Sequence, residues 1–412
     1  MNYNKPDLIW FSKFNTASPL TQTNKKRFIV RLSEKAVNNM DNINDVQKII
    51  GPDYRVLEGL GLPGMVVVET DVSNTFNTLS NSPNIEYIEE DQIIQLDDPA
   101  GPQDIKKNNF NISSSHIPND PEWSRLYGLN SSFSATNKHI NVEEVWKTNT
   151  GSSNIVIAVI DTGIDYTHPD LVANMWTNPN ETSNGLDSDN NGYIDDIYGM
   201  NGINDSGNPY DDNRHGTHCA GTIGAVGNNS KGVVGVCWNL KMMALKFLSS
   251  GGSGSIANAI KCVAYAELMK SRGANIKATS NSWGGGGFSQ GMFDAIQSAW
   301  TNEDMLFIAA AGNSGRNTDS TIYYPQGYNS PAVISVGASD QSGNKASFSN
   351  YGAISVDLAA PGVGIYSCVP GNSYESLSGT SMACPHVAGA VALLYSIYPN
   401  VTGTQIKNAL IN

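Results

Sequence analysis

The chain has 412 residues, 40% hydrophobic and 15% charged, enough apolar material for a large buried core in one big domain plus a smaller one. A formal charge of −13, with no basic cluster beyond Lys106 and Lys107, argues against nucleic acid or an anionic membrane as partner and favours a cation. No apolar stretch approaches the roughly 20 residues that span a bilayer. The five cysteines, Cys219, Cys237, Cys262, Cys368 and Cys384, are odd in number and scattered, so they read as buried free thiols rather than a disulfide framework.

Residues 1–24 carry no assigned element, and their opening "MNYNKPDLIWFSKFN" lacks the charged-then-apolar design of a signal peptide. Residues 26–32 ("KRFIVRL") and 65–69 ("MVVVE") read as strands, 36–50 has helical spacing, and 85–94 ("IEYIEEDQII") alternates again. These make a small α/β unit over 25–97. From 98 to 120 the chain is polar, aperiodic and rich in Pro, Asn and Ser, as in an exposed, cleavable linker. Over 121–412, short apolar runs ("NIVIAVID", "LKMMALKFL", "MLFIAAAGN", "AVISVGAS") alternate with helical stretches ("GSIANAIKCVAYAELMKSRG", "GMFDAIQSAW"). This alternation predicts an α/β fold, a doubly wound parallel sheet with helices on both faces and functional residues at the carboxyl ends of its strands.

Four stretches carry chemistry. "VIAVIDTGID" ends a β-branched run in Asp161, where an acid needs either turn donors or a histidine to orient. "HGTHCAGTIGA" sets His215 and His218 on one helical face, a spacing that also suits a metal, with Cys219 or Cys237 as recruits. "GTSMACPHVAG" puts Ser381 at a helix start, where serine is a common cap. "FIAAAGNSG" leaves a strand at Gly312 and Asn313, by itself only a turn signal. Taken together, an acid, a histidine and a serine supply a nucleophile, its base and the group that orients the base. The helix start at Ser381 and the Asn313 amide would receive an oxyanion.

In this order the four blocks resemble the signatures of the subtilisin-like serine proteases, the subtilases, with the Cys219 block nearer the proteinase K and thermitase branch. The resemblance implies Asp161 as orienting acid, His215 as general base and acid, Ser381 as nucleophile and Asn313 as oxyanion donor, with His218 and His386 structural. It implies that Ser282, Trp283 and Gly284 of "SNSWGGGG" bind extended protein or peptide substrate, with Tyr323 or Tyr324 approaching the floor of the first specificity pocket. It further implies that 25–97 is an inhibitory prodomain whose tail is first cut near Leu96 or Asp97, in an exported, monomeric enzyme whose leader lies upstream of Met1. Two rivals stand beside this reading: a catalytically dead family member that binds peptides, and a metal-dependent hydrolase built on His215 and His218.

The stretch "DSDNNGYIDD" supplies oxygen ligands at alternate positions with a glycine for the turn, which suits calcium. Asp187, Asp189, Asn191, Asp195 and Asp196 are the expected ligands. The resemblance alone implies a second calcium site, with Asn229 as ligand and Asp170 reaching it.

Overall fold

The computed structural model describes residues 10, 25–40, 45–70, 79–97, 99, 117–130 and 139–412. The expected linker therefore lies largely outside the described residues, as does most of 1–24. The N-terminal unit is an antiparallel sheet in the order β2-β3-β1-β4, built from β1 (Lys26–Leu32), β2 (Arg55–Gly59), β3 (Met65–Thr70) and β4 (Ile85–Glu90). Two corrections to the sequence reading arise here. The single helical stretch is two short helices, Glu34–Asn38 and Asp45–Ile50, and Arg55–Gly59 is a strand that the sequence reading missed.

The run "MVVVE" does not alternate because β3 is buried on both faces. Phe28, Val30, Val66 and Val68 pack under the unit's own helices, whereas Ile29, Met65 and Val67 join the core of the large domain. After β4 the chain continues into β5 (Ile93–Gln95).

The large domain holds a seven-stranded parallel sheet in the order β13-β12-β11-β10-β6-β8-β7. Its strands are β6 (Gly151–Asp161), β7 (Gly199–Asn201), β8 (Asn239–Lys246), β10 (Ile276–Asn281), β11 (Leu306–Ala310), β12 (Val333–Ser339) and β13 (Leu358–Pro361). A short β9 (Ser253–Ser255) pairs with β5 instead. Alternate residues of β6 serve two cores: Ile155, Ile157 and Val159 on one face, Val156, Ala158 and Ile160 on the other. The sheet grows outward from β6 in both directions, so the carboxyl ends of β6 and β10 flank a topological switch point, where α/β sheets place their ligand crevice.

Helices Ile256–Ser271 and Gln290–Glu303 cover one face, each started by a serine cap, Ser255 and Ser289. Helices His215–Gly224 and Thr380–Ile397 cover the other and pack against one another. Contrary to the sequence reading, one stretch is long and apolar enough to cross a membrane by length and composition, the 18-residue helix Thr380–Ile397. With 78% of it buried inside the protein, its apolarity is used by the core.

Candidate active site

Asp161 is the last residue of β6 and His215 the first of its helix; both are 0% exposed. His215 Nδ1 lies 2.7 Å from Asp161 Oδ1, an oxygen that also accepts the Thr162 backbone N–H at 2.7 Å. Burial disfavours the charged imidazole, yet the neighbouring Asp161 carboxylate outweighs it and holds the His215 pKa well above its ordinary value. Gly216 makes this approach possible, since a Cβ there would sit 2.1 Å from the Gly163 carbonyl and 3.1 Å from the Asp161 side chain.

Two groups that sequence reading missed tie the loop before His215 to the end of β6. Asp211 accepts the Thr162 hydroxyl at 2.8 Å and the Thr217 amide at 2.9 Å, and Thr162 Oγ1 accepts the Gly216 amide at 2.9 Å.

Ser381 lies in the first turn of its helix, and its hydroxyl donates to the Ser282 carbonyl at 3.0 Å. The Asn313 amide is oriented by Thr380, whose backbone N–H and hydroxyl donate to Asn313 Oδ1 at 2.8 and 2.9 Å. This fixes the Asn313 NH₂ as the outward-facing donor. It donates to the backbone carbonyl of Asp97 at 2.6 Å. The tail of the N-terminal unit thus enters the site. Ile93–Gln95 pairs antiparallel with Ser253–Ser255, and the Leu96 N–H donates to the Gly252 carbonyl at 2.8 Å. This is strand addition of a peptide to an open edge.

Of the expected substrate residues, Ser282 turns its hydroxyl to the Ser381 carbonyl at 2.8 Å and braces the nucleophile's backbone. Trp283 is 3% exposed and packs edge-on to Phe247 and Phe307, so its ring belongs to the core. Gly284 faces Tyr323, whereas Tyr324 packs against Phe288 and Tyr328.

The same assembly is found in known proteins. Residues 152–412, more than half of the chain, match the subtilase family model. The chain belongs to the subtilase family. It is 38% identical over 317 residues to Subtilisin-like protease 1 of Plasmodium falciparum, covering 71% of this chain and 44% of that protein. It thus spans under half the length of that relative. Thermitase of Thermoactinomyces vulgaris is 37% identical over 282 residues, covering 68% of this chain and 86% of thermitase. Among solved structures, a cold-adapted subtilisin-like serine proteinase aligns with a TM-score of 0.51 and 30% identity, covering 63% of this chain and 82% of that one.

In this subtilase His218 turns away from His215. Its Nε2 lies 2.9 and 3.1 Å from the carbonyls of Ile365 and Glu375, and burial, followed by the nearby His215, pushes its pKa down to about 3. The two histidines thus do not converge on a shared ligand position, which removes the ground for the metal-hydrolase reading. His386 Nδ1 lies 2.8 Å from the Met382 carbonyl, and burial takes its pKa down to about 4. All five cysteines are free and buried.

The acidic loop folds differently from its expected ligand pattern. Asp187 accepts the backbone N–H groups of Asn191 and Gly192, and Asp195 those of Asn184 and Gly185, so both close turns. The oxygens that converge belong to Asp189, Asp196 and Glu181, within 4.8 Å of one another, and sequence reading missed Glu181 because it precedes the motif. Asn191 donates to Asp196 at 2.7 Å, and Asn178 donates to Asp189 at 3.0 Å. Asp189 Oδ1 is buried with no hydrogen-bond partner among the described residues, and Arg272 lies 3.4 Å from its other oxygen. Burial raises the Asp196 pKa to about 7 despite donors from Tyr265 and Asn191.

Asp170 and Asn229 do meet, at 2.7 Å, but each Asp170 oxygen already has a donor: Asn229, and the Val233 N–H at 2.9 Å. Asp120 joins them by accepting the Asn228 N–H at 2.7 Å.

Proposed function

We propose that this subtilase is a serine endopeptidase made as a zymogen, cutting polypeptides through an acyl-enzyme and its own N-terminal segment first. The observation that supports the reading is the Asp97 carbonyl at 2.6 Å from the Asn313 amide, which Thr380, the residue before Ser381, orients. Ser381 Oγ attacks that carbonyl carbon. His215 takes the hydroxyl proton and returns it to the leaving amine, and Asp161 holds the imidazole in the required tautomer and stabilises its charged form. Asn313, with the N–H groups at the helix start, stabilises the oxyanion.

Residues 25–97 serve as an intramolecular inhibitor. Glu89 caps helix Gln290–Glu303, accepting the N–H groups of Gln290 and Gly291 at 2.8 and 3.0 Å, and Asp91 accepts the Ala257 N–H at 2.9 Å at the start of the other covering helix. Tyr87 donates to Asp294 at 2.7 Å, and Lys261 pairs with Glu58 at 2.9 Å. These contacts hold the tail in the site.

Calcium fits Glu181, Asp189 and Asp196, because two buried carboxylates and a half-buried one with an orphaned oxygen suit a hard cation with oxygen ligands. Bound there, the ion would neutralise the cluster and stabilise the fold by mass action. No group of three converging acidic ligands forms around Asp170 and Asn229 among the described residues, so we assign no ion to that pair. We place the enzyme outside the cytoplasm, as the resemblance implies, and take it to act as a monomer.

The test is labelling with a fluorophosphonate in calcium buffer. One adduct mapped to Ser381, with loss of casein cleavage, is the expected result. An enzyme that cuts casein while Ser381 stays unlabelled, or a folded protein that never cuts, contradicts the reading.

A further inference from the structure

Resting on the endopeptidase reading, we infer that Tyr323 closes the first specificity pocket, so that the enzyme cleaves after short side chains, aspartate among them. The self-cleaved bond is then Asp97–Asp98.

The register of the tail fixes the positions. The residue whose carbonyl the Asn313 amide holds is the residue before the cut, and that is Asp97. Pro99 lies beyond the site, its Cδ 3.5 Å from where a Cβ on Gly379 would be, two residues before Ser381. Asp97 thus meets Asn313, and Pro99 lies near Gly379. Counting back, Ile94 stands three residues upstream of Asp97, opposite Gly254 in the paired strands.

These two side chains are treated in opposite ways. Ile94 is 1% exposed and belongs to the buried cluster of Phe247, Ile256, Trp283 and Met292. Asp97 is exposed. A residue before the cut stays outside when its pocket is already filled, and here the filling group is Tyr323. Cβ atoms built on Gly284 and Gly312 would lie 2.5 and 2.8 Å from Tyr323 Cε1. The Tyr323 ring thus packs directly against both glycines and occupies the space that a side chain on either would need.

Tyr323 is held from behind, its carbonyl accepting the Gly327 N–H at 2.9 Å, while the next residue's carbonyl accepts the Gly285 N–H at 3.0 Å. A large apolar side chain before the cut would have to expel that ring. Burial, and after it the Asp97 charge, pushes the Tyr323 hydroxyl up to about 12, so it stays a protonated neighbour of the carboxylate.

The test uses the full-length enzyme after self-processing and internally quenched peptides Ile-Gln-Leu-Xaa-Asp-Pro-Ala-Gly, with Xaa as Asp, Asn, Ala, Leu or Phe. The wild type is expected to cut after Asp, Asn and Ala with kcat/KM at least about 10-fold above Leu and Phe. Tyr323→Gly is expected to raise the Phe-to-Asp ratio at least about 10-fold. If Tyr323→Gly does not fold, the wild-type ranking decides alone. Casein cleavage with Phe or Leu ranked first, or a Tyr323→Gly ratio equal to wild type, overturns the inference and leaves the endopeptidase reading standing. Failure to cut casein as well as every peptide overturns both.

Discussion

Asp161 and Glu89 are carboxylates at or near the end of a strand, and the molecule uses them in opposite ways. Asp161 ends β6 against an imidazole, a partner that gains and loses a proton. Glu89 sits near the end of β4 against the backbone N–H groups of a helix start, partners that never titrate. The first arrangement manages proton transfer; the second is a fixed clamp between the N-terminal unit and the large domain. A third carboxylate group, Glu181, Asp189 and Asp196, has neither an imidazole nor enough amides, and that deficit is what a cation would fill.

Asp161→Asn should break the first arrangement with the largest effect. A fall in kcat of about 10⁴-fold is expected, since the imidazole loses both its tautomer control and its stabilised charged form. The Asp161 carboxylate raises the His215 pKa, and the neutral base is the active form. Residual activity should therefore reach its plateau at lower pH than in wild type. Glu89→Gln, by contrast, should leave the pH profile in place. A matching shift in both variants would erase the distinction between the two carboxylates.

Calcium removal probes the third group. At a calcium concentration about 1,000 times Kd, chelation should cost about 4 kcal/mol of stability. Burial raises the Asp196 pKa from 3.8 to about 7 in the folded state. A raised carboxyl pKa means the folded protein binds more protons than the unfolded chain between those values, so metal-free stability falls as pH rises through that window and levels off above about 7. Melting of Ser381→Ala with and without chelator should show a larger calcium effect at pH 8 than at pH 5. Equal shifts at both would contradict the assignment of the ion to this cluster.

Glu89→Ala tests the clamp. Loss of a helix cap is worth about 1–2 kcal/mol, about a 5- to 30-fold weaker hold on the N-terminal unit. The readout is a shorter lag between chain cleavage and casein activity, and an unchanged lag would remove Glu89 from the clamp. The smallest effect concerns Cys219, whose Sγ lies 4.0 Å from His215 Nδ1. A bulky mercurial on this buried thiol should slow turnover several-fold by displacing the imidazole. Full activity after stoichiometric labelling would show that the imidazole is undisturbed.

What the sequence made legible follows from the same contrast. Asp161 ends a strand, His215 begins a helix, Ser381 lies in a helix's first turn and Asn313 follows a strand within three residues, each inside a short motif, so the four blocks taken together carried the resemblance that names them as candidates. Glu89 and Asp91 act on backbone amides some 170 to 200 residues away, and no spacing along the chain records that. Glu181 escaped for a related reason, since the loop motif singled out Asp187 and Asp195, which the fold spends on turn amides. Trp283 was assigned to pair with extended substrate, and its ring, packed beside Phe247 in the core, leaves its backbone for that role. The strand Arg55–Gly59 was missed because "RVLEG" is short and carries charges that an edge strand tolerates.

The measurement closest to the central claim is the chain mass of purified wild type and Ser381→Ala in calcium buffer, followed over time. Wild type that loses its first 97 residues, while Ser381→Ala keeps its full length and retains the N-terminal unit, is the expected result. Equal processing of the two proteins would mean that Ser381 does not cut the tail, and the zymogen account would be wrong.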